Sequence, residues 1–380
     1  MPTMERPWDD GSNTTDEYEK IADAAFELFQ KLGVEYYTFH DADMAPYDAT
    51  LSGYEKNVDH MAGYLKSKQD ASNTKLLWST TNLFSDPRYM NGAMTSPDFH
   101  AYARAGASVS KMLEVNTKLG GENFVFWGGR EGYQSSINTN VKRELDHAAA
   151  FMKMVVDKRD RLGGKFQLLV EPKPKEPMKH QYDYDAATTM GFLNQYGLQN
   201  HYKLNIEPNH TTLAGHQFDH DIMLAAQYGM LGSVDANTGD ELLGWDTDEF
   251  PQDSKWTTMS MLHILGQGGL GSGGLNFDCK VRRESVDLED IFIAHIGAMD
   301  AWALGLKNAA RMREQGITIN DVKKRYSSWD EGLGAKIEAS GGDGVTLEDL
   351  RQYVQDNGEP KVVSGKQEMY ERNLAQVVYG

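Results

Sequence analysis

The strongest constraint on this chain is a repeated unit. A short apolar, β-branched or aromatic run is followed by a polar turn and then by a longer segment with helical spacing of apolar residues. The runs are residues 34–39, 75–78, 124–127, 166–170, 202–206, 231–234 and 274–277. Helical segments include 16–32, 99–119, 141–162, 186–196 and 215–228. In the first of these, Ile21, Ala25, Leu28 and Leu32 recur at helical spacing, and Gly33 follows as a stop. Short strands alternating with helices predict a parallel sheet covered by those helices. The count is seven strands and eight helices, whereas a closed barrel has about eight of each. The surplus helix comes first. The expectation is therefore a TIM-type (β/α)8 barrel missing its first strand. An open doubly wound sheet is the competing architecture, but no G-x-G-x-x-G follows an early strand.

The pattern changes near Arg311. Beyond it the chain is charged, contains Gly-Gly-Asp-Gly at 341–344 and shows no convincing strand. Residues 1–310 are expected to form the barrel and carry the site. Residues 311–380 are expected to form a helical, loop-rich arm that packs on another subunit.

Composition narrows the function. With 380 residues, 40% hydrophobic and 25% charged, usage is globular. A net charge of −18 repels phosphate backbones, so nucleic acid is not an expected partner. The single cysteine, Cys279, cannot form an intrachain disulfide. No signal-peptide core or membrane-length apolar run occurs. The expectation is a cytoplasmic protein without a membrane partner.

The predicted strand ends are unusually polar. Glu171, Glu207, Asp235 and Asp278 end four successive strands, and His210, Asp246 and Asp248 lie close behind. Functional residues of a barrel lie at the C-terminal ends of its strands. Four carboxylates at one mouth repel unless cations neutralise them. Oxygen ligands suit Mg²⁺ or Mn²⁺, and a histidine draws the preference towards Mn²⁺ or Co²⁺. Each residue also has a plainer reading. His40 alone would be a core histidine, but Asp43 close by suggests an oriented acid–base pair. Lys173 sits between two prolines, which suits either a surface loop or a positioned cation. Trp78 and Trp127 are core residues or an apolar wall. Asp183 and Asp185 read as helix caps, and Lys280, Arg282 and Arg283 as a basic surface patch.

Several runs together resemble the class II xylose isomerase family: VFWGGREGY (125–133), EPKPKEPMKHQYDYD (171–185), KLNIEPNHTTLAGHQFDH (203–220), GSVDANTGDELLGWDTDEF (232–250) and GGLNFDCKVRR (273–283). RPWDDG (6–11), FHDAD (39–43) and AHIGAMDA (294–301) fit as well. The resemblance spans nearly the whole chain in order. It implies two divalent metal ions per subunit, Mg²⁺, Mn²⁺ or Co²⁺. One would be held by Glu171, Glu207, Asp235 and Asp278, the other by Glu207, His210, Asp246 and Asp248. It implies that His40, oriented by Asp43 and supported by Thr80, assists ring opening, and that Lys173 holds the C1 oxygen. Trp127 and Phe84 would wall the pocket. The implied activity interconverts D-xylose and D-xylulose, and D-glucose and D-fructose more weakly, by a metal-assisted 1,2-hydride shift in a homotetramer.

The chain departs from the family pattern in places. It begins just before RPWDDG, without the family's first strand and its intersubunit aromatic loop. Ala42 stands where the family has Arg, Ser79 where it has Gly and Pro208 where it has Ala, and residues 91–99 look shortened. The alternatives are thus a catalytically impaired, truncated relative, or a phosphoester-cleaving enzyme on the same barrel. The net charge opposes the latter.

Overall fold

In the computed structural model, which describes residues 4–317 and 319–380, seven strands form one sheet in chain order, each parallel to its neighbours. They are β1 (Tyr36–His40), β2 (Lys75–Thr80), β3 (Asn123–Trp127), β4 (Gln167–Glu171), β5 (Tyr202–Ile206), β6 (Leu231–Asp235) and β7 (Leu275–Asn276). Parallel neighbours need crossover connections, and helices supply them. α1 (Thr15–Leu32) precedes β1. α2 (Leu51–Ser72), α3 (Phe99–Leu119), α4 (Val141–Arg161), α5 (Ala186–Gln195), the pair α6 (Pro208–Leu213) and α7 (His220–Gln227), and α8 (Ser254–Gln267) occupy the successive intervals. The two outer strands meet: Thr38 Oγ1 of β1 donates to Asn276 Oδ1 of β7 at 2.8 Å. The sheet is a nearly closed parallel barrel of seven strands, the number read from the sequence.

Residue alternation decides which side chains enter the barrel. Tyr37 and Phe39 point outward, and the Tyr37 ring packs against Phe26 at 5.1 Å and Phe29 at 5.7 Å on α1. Thr38 and His40 therefore point inward. α1 opens with Thr14 capping the Glu17 amide and closes at Gly33, whose φ of +73° favours glycine. Its buried face centres on Ala22 and Phe26, while Ile21, Ala25, Leu28 and Leu32 flank it half-buried. The expected stripe is displaced by one residue because the Phe26 ring docks on Tyr37. β6 is buried at every position, as suits a parallel strand covered on both faces. Leu77, Trp78, Val125 and Leu169 form an apolar cluster beneath the strand ends.

The chain divides into two compact units. The first runs to Asp253 and includes His263–Ala301; it contains the barrel. The second comprises Ser254–Leu262 and Trp302–Gly380. Its helices are the start of α8, the end of α9 (Leu288–Glu314), α10 (Ile319–Tyr326), α11 (Gly332–Ser340), α12 (Leu347–Asn357) and α13 (Gln367–Tyr379). It has a small core in which Leu374 and Val377 of α13 pack with Met312, Met259 and Leu262. The division falls inside the helices α8 and α9, where composition gives no signal. Among the described residues no helix is long and apolar enough to cross a membrane.

Candidate active site

The C-terminal ends of the strands surround a cleft of about 430 Å³. It is lined by His40, Asp43, Thr80, Phe84, Trp127, Glu171, Lys173, Glu207, His210, Asp246, Asp248 and Asp278. Asp235 is fully buried among them. The catalytic, metal-ligating and wall residues expected from the sequence are therefore gathered at one mouth. His40 ends β1, and its Nδ1 lies 3.0 Å from Asp43 Oδ2 within a one-turn helix, Asp41–Met44. Burial opposes the imidazolium, but the hydrogen bond and charge of Asp43, with Asp278 and Asp41 nearby, push its pKa up to about 9. Phe84 packs edge-on against Trp127 at 4.3 Å and against His40 at 6.0 Å. Thr80 is the register partner of His40, yet its hydroxyl donates to the Val125 carbonyl at 2.6 Å rather than to the histidine. Thr80 thus ties β2 to β3.

Lys173 follows β4 in the proline-flanked loop. Its amide donates to the Asp183 carbonyl at 2.9 Å. Its ammonium is 2.7 Å from Asp246 Oδ2, 3.4 Å from Glu176 Oε2 and 5.0 Å above the Trp127 ring. Burial favours the neutral amine, but the Asp246 charge outweighs it and raises the Lys173 pKa.

The acids converge as two sets. Ligand oxygens of Glu171, Glu207, Asp235 and Asp278 lie within 4.8 Å of one another, and so do those of Glu207, Asp246 and Asp248. His210 forms a third group with Glu171 and Glu207; its Nε2 lies 3.3 Å from Glu207 Oε1 and 3.1 Å from Asp246 Oδ2. Burial, with the charges of Asp235 and Asp278, holds Glu171 well above the usual carboxylate range. Burial and the charges of Asp246 and Glu171 do the same to Glu207. Burial and Asp278 push Asp235 up to about 7, and burial and Asp246 push Asp248 up to about 7. Asp246 stays well below the usual range: burial opposes its charge, but His210 and Lys173 prevail. Burial lowers His210, and its Nδ1 is buried without a hydrogen-bond partner. A closely packed set of carboxylates with one imidazole, Glu171, Glu207, Asp235 and Asp248 among them held at raised pKa, fits divalent cations.

Sequence reading missed the groups that hold these acids in place. Asn205 Nδ2 donates to both Glu171 Oε2 at 3.1 Å and Asp235 Oδ2 at 2.6 Å. Asn276 Nδ2 donates to Asp235 Oδ1 at 2.9 Å, and Asn237 Nδ2 to Glu207 Oε1 at 2.7 Å. Asn209 donates to Asp246. The clue was an asparagine beside nearly every strand-end acid. Lys280 and Arg282 are not a bare surface patch. Lys280 pairs with Asp248, and the Arg282 guanidinium donates to the carbonyls of Thr247, Asp248 and Lys280. Asp185 does cap α5, but Asp183 is half-buried near Glu131, with its Oδ1 shielded from solvent, and caps no helix among the described residues.

Residues 322–378 match the XylA2 C-terminal domain. A xylose isomerase of Rhodopirellula baltica is 53% identical over 99% of this chain and 85% of its own length. Xylose isomerase 2 of Xanthomonas campestris pv. campestris is 51% identical over 98% of this chain and 83% of its own. In fold, an L-ribulose 3-epimerase superposes with a TM-score of 0.55 at 16% identity, over 81% of this chain and 94% of that one. Identity above one half along almost the entire length settles the kinship: the chain belongs to the xylose isomerase family.

Proposed function

We propose that this chain is a divalent-metal-dependent aldose–ketose isomerase that interconverts D-xylose and D-xylulose, and D-glucose and D-fructose more weakly. The observation that carries the reading is one cleft holding two acid-rich donor sets that share Glu207, flanked by the His40–Asp43 pair and by Lys173. Glu171, Glu207, Asp235 and Asp278 would hold one ion, and Glu207, His210, Asp246 and Asp248 a second. Bound there, Mg²⁺, Mn²⁺ or Co²⁺ supplies Lewis acidity towards sugar oxygens.

The side chains supply the rest. Ring opening breaks the bond between C1 and the ring oxygen; His40 Nε2 gives a proton to the ring oxygen and, then neutral, takes the O1 proton as the C1 carbonyl forms. His40 is the donor: Asp43 occupies Nδ1 and keeps the ring charged, which leaves Nε2 for the sugar. The Lys173 ammonium holds O1 of the open chain and meets the negative charge that develops there. The hydrogen on C2 then moves with its electron pair to C1, and the O2 proton passes to O1. Phe84 and Trp127 form an apolar wall that keeps water from exchanging that hydrogen.

The second unit presents Val322, Tyr326, Trp329, Leu347 and Tyr353 to solvent. Apolar groups of this size on one small unit suit a contact with further copies of the chain, in a homotetramer. The test is turnover of D-xylose by the purified chain with Mg²⁺ or Mn²⁺, run in heavy water. D-xylulose free of carbon-bound deuterium is the expected product. Deuterium at C1 would replace the hydride shift by proton exchange, and no turnover would sink the isomerase reading.

A further inference from the structure

Away from the cleft, the turn before α7 carries His216, and α7 opens with His220 and Asp221. None of the three lines the cleft. One ligand atom from each lies within 4.8 Å of the other two. The imidazole rings lie face to face, with centroids 4.3 Å apart and planes 25° from parallel.

The carboxylate of Asp221 points to what belongs between them. Asp221 is 3% exposed. Its Oδ2 accepts from the Ala186 amide at 3.1 Å, whereas Oδ1 is buried with no hydrogen-bond partner. His220 Nε2 lies 4.0 Å from Oδ1, beyond hydrogen-bond reach. A buried carboxylate oxygen left unpaired is costly, and a cation between it and the imidazoles removes that cost. His216 is already oriented. Its Nε2 lies 3.2 Å from Asp185 Oδ2, and Asp185 is fixed in turn by accepting from the Thr188 amide at 2.8 Å. Carboxylates hold metal-binding imidazoles in this way and leave the other ring nitrogen for the ion.

We propose that His216, His220 and Asp221 form a separate transition-metal site of the zinc class, with Asp185 as the positioning residue for His216. Ligand atoms on one tetrahedral zinc lie roughly 3.3 Å apart, given bonds of about 2.0–2.1 Å. Rotation of the His220 imidazole, 38% exposed, closes the set while Asp185 holds His216 and the Ala186 amide keeps Asp221 in place. Two nitrogens and one oxygen select Zn²⁺ over Mg²⁺, opposite to the oxygen-rich cleft.

The experiment counts Zn²⁺ bound per chain by equilibrium dialysis at pH 7.5, for the unaltered chain and for a His216→Gln/His220→Gln variant. The variant should bind one ion fewer and keep its Mg²⁺-supported activity. Equal stoichiometry overturns the site. Should the variant fail to fold, crystals of the unaltered chain soaked in Zn²⁺ decide, through anomalous scattering at the zinc edge. A peak between His216, His220 and Asp221 supports the proposal, and no peak there ends it. Neither outcome depends on whether the cleft isomerises sugars.

Discussion

Lys173 is held from three directions: the Asp246 carboxylate, the Glu176 carboxylate and the face of Trp127. A cation so fixed loses little freedom when charge develops at O1, so its effect should fall on turnover. Lys173→Met is expected to lower kcat on D-xylose by about 100-fold, on the order of 3 kcal/mol, with a smaller change in KM. A change confined to KM would make it a binding residue only. His40 offers a test by pH. Its pKa is raised to about 9, chiefly because Asp43 overcomes the effect of burial. Catalysis that needs the imidazolium should persist below that value and fail above it. The same shift makes the His40–Asp43 pair stabilising below the ordinary histidine pKa of about 6.5, a contribution lost as pH rises through about 9. Asp43→Asn should move the alkaline limb of kcat/KM down towards neutrality, and an unmoved limb would separate His40 from the chemistry. The acids and His40 were legible because their types stand at strand ends. Thr80 was legible as a member of the site but not in its bonding, since its hydroxyl could reach either neighbour.

At the scale of elements, β4, β5 and β6 deliver their acids Glu171, Glu207 and Asp235 already supported. β5 carries Asn205, whose amide bridges Glu171 of β4 and Asp235 of β6. Asp235→Asn should abolish turnover yet leave the metal-free melting temperature unchanged or higher, because it removes one of several crowded charges. The gain in melting temperature on adding Mn²⁺ should shrink. A variant with ordinary turnover would exclude Asp235 from the metal set. The alternation of strands and helices was plain from residue periodicity, but the loops between them were not. Glu131 shows why. Its buried carboxylate accepts from the amides of Ala93, Met94 and Thr95 at 3.1, 3.0 and 2.9 Å. It thereby staples the loop after β2 to the loop after β3. Nothing near Glu131 in the sequence announces a partner so far away, and Asp183, half-buried near it, reads as a cap for the same reason.

The whole barrel closes through side chains where its outer strands meet. Thr38 and Asn276 link β1 to β7. Thr38→Val keeps the shape and removes the donor, so it should cost about 1 kcal/mol. It should also raise aggregation on mild heating, since strand edges there could pair with another chain. A variant that matches the parent in both melting temperature and light scattering would show that the seam is held by other contacts. Strand number and order follow from the sequence pattern, but closure depends on curvature, which one chain's periodicity does not encode. The division within α9 is hidden similarly, because a helix crossing from one unit to the other keeps its period.

Glu207 belongs to both donor sets. Two occupants that draw on one carboxylate cannot bind independently: whatever the first gains from it is no longer wholly available to the second. Thermodynamic reciprocity then requires each ion to alter the affinity of the other by the same factor. A calorimetric titration of the metal-free chain with Mn²⁺ should therefore show a tight event and a weaker one rather than two equal ones. Glu207→Gln should blunt both together. Were both sets occupied, filling would be stepwise, with a half-filled state over a range of concentrations set by the gap between the two affinities.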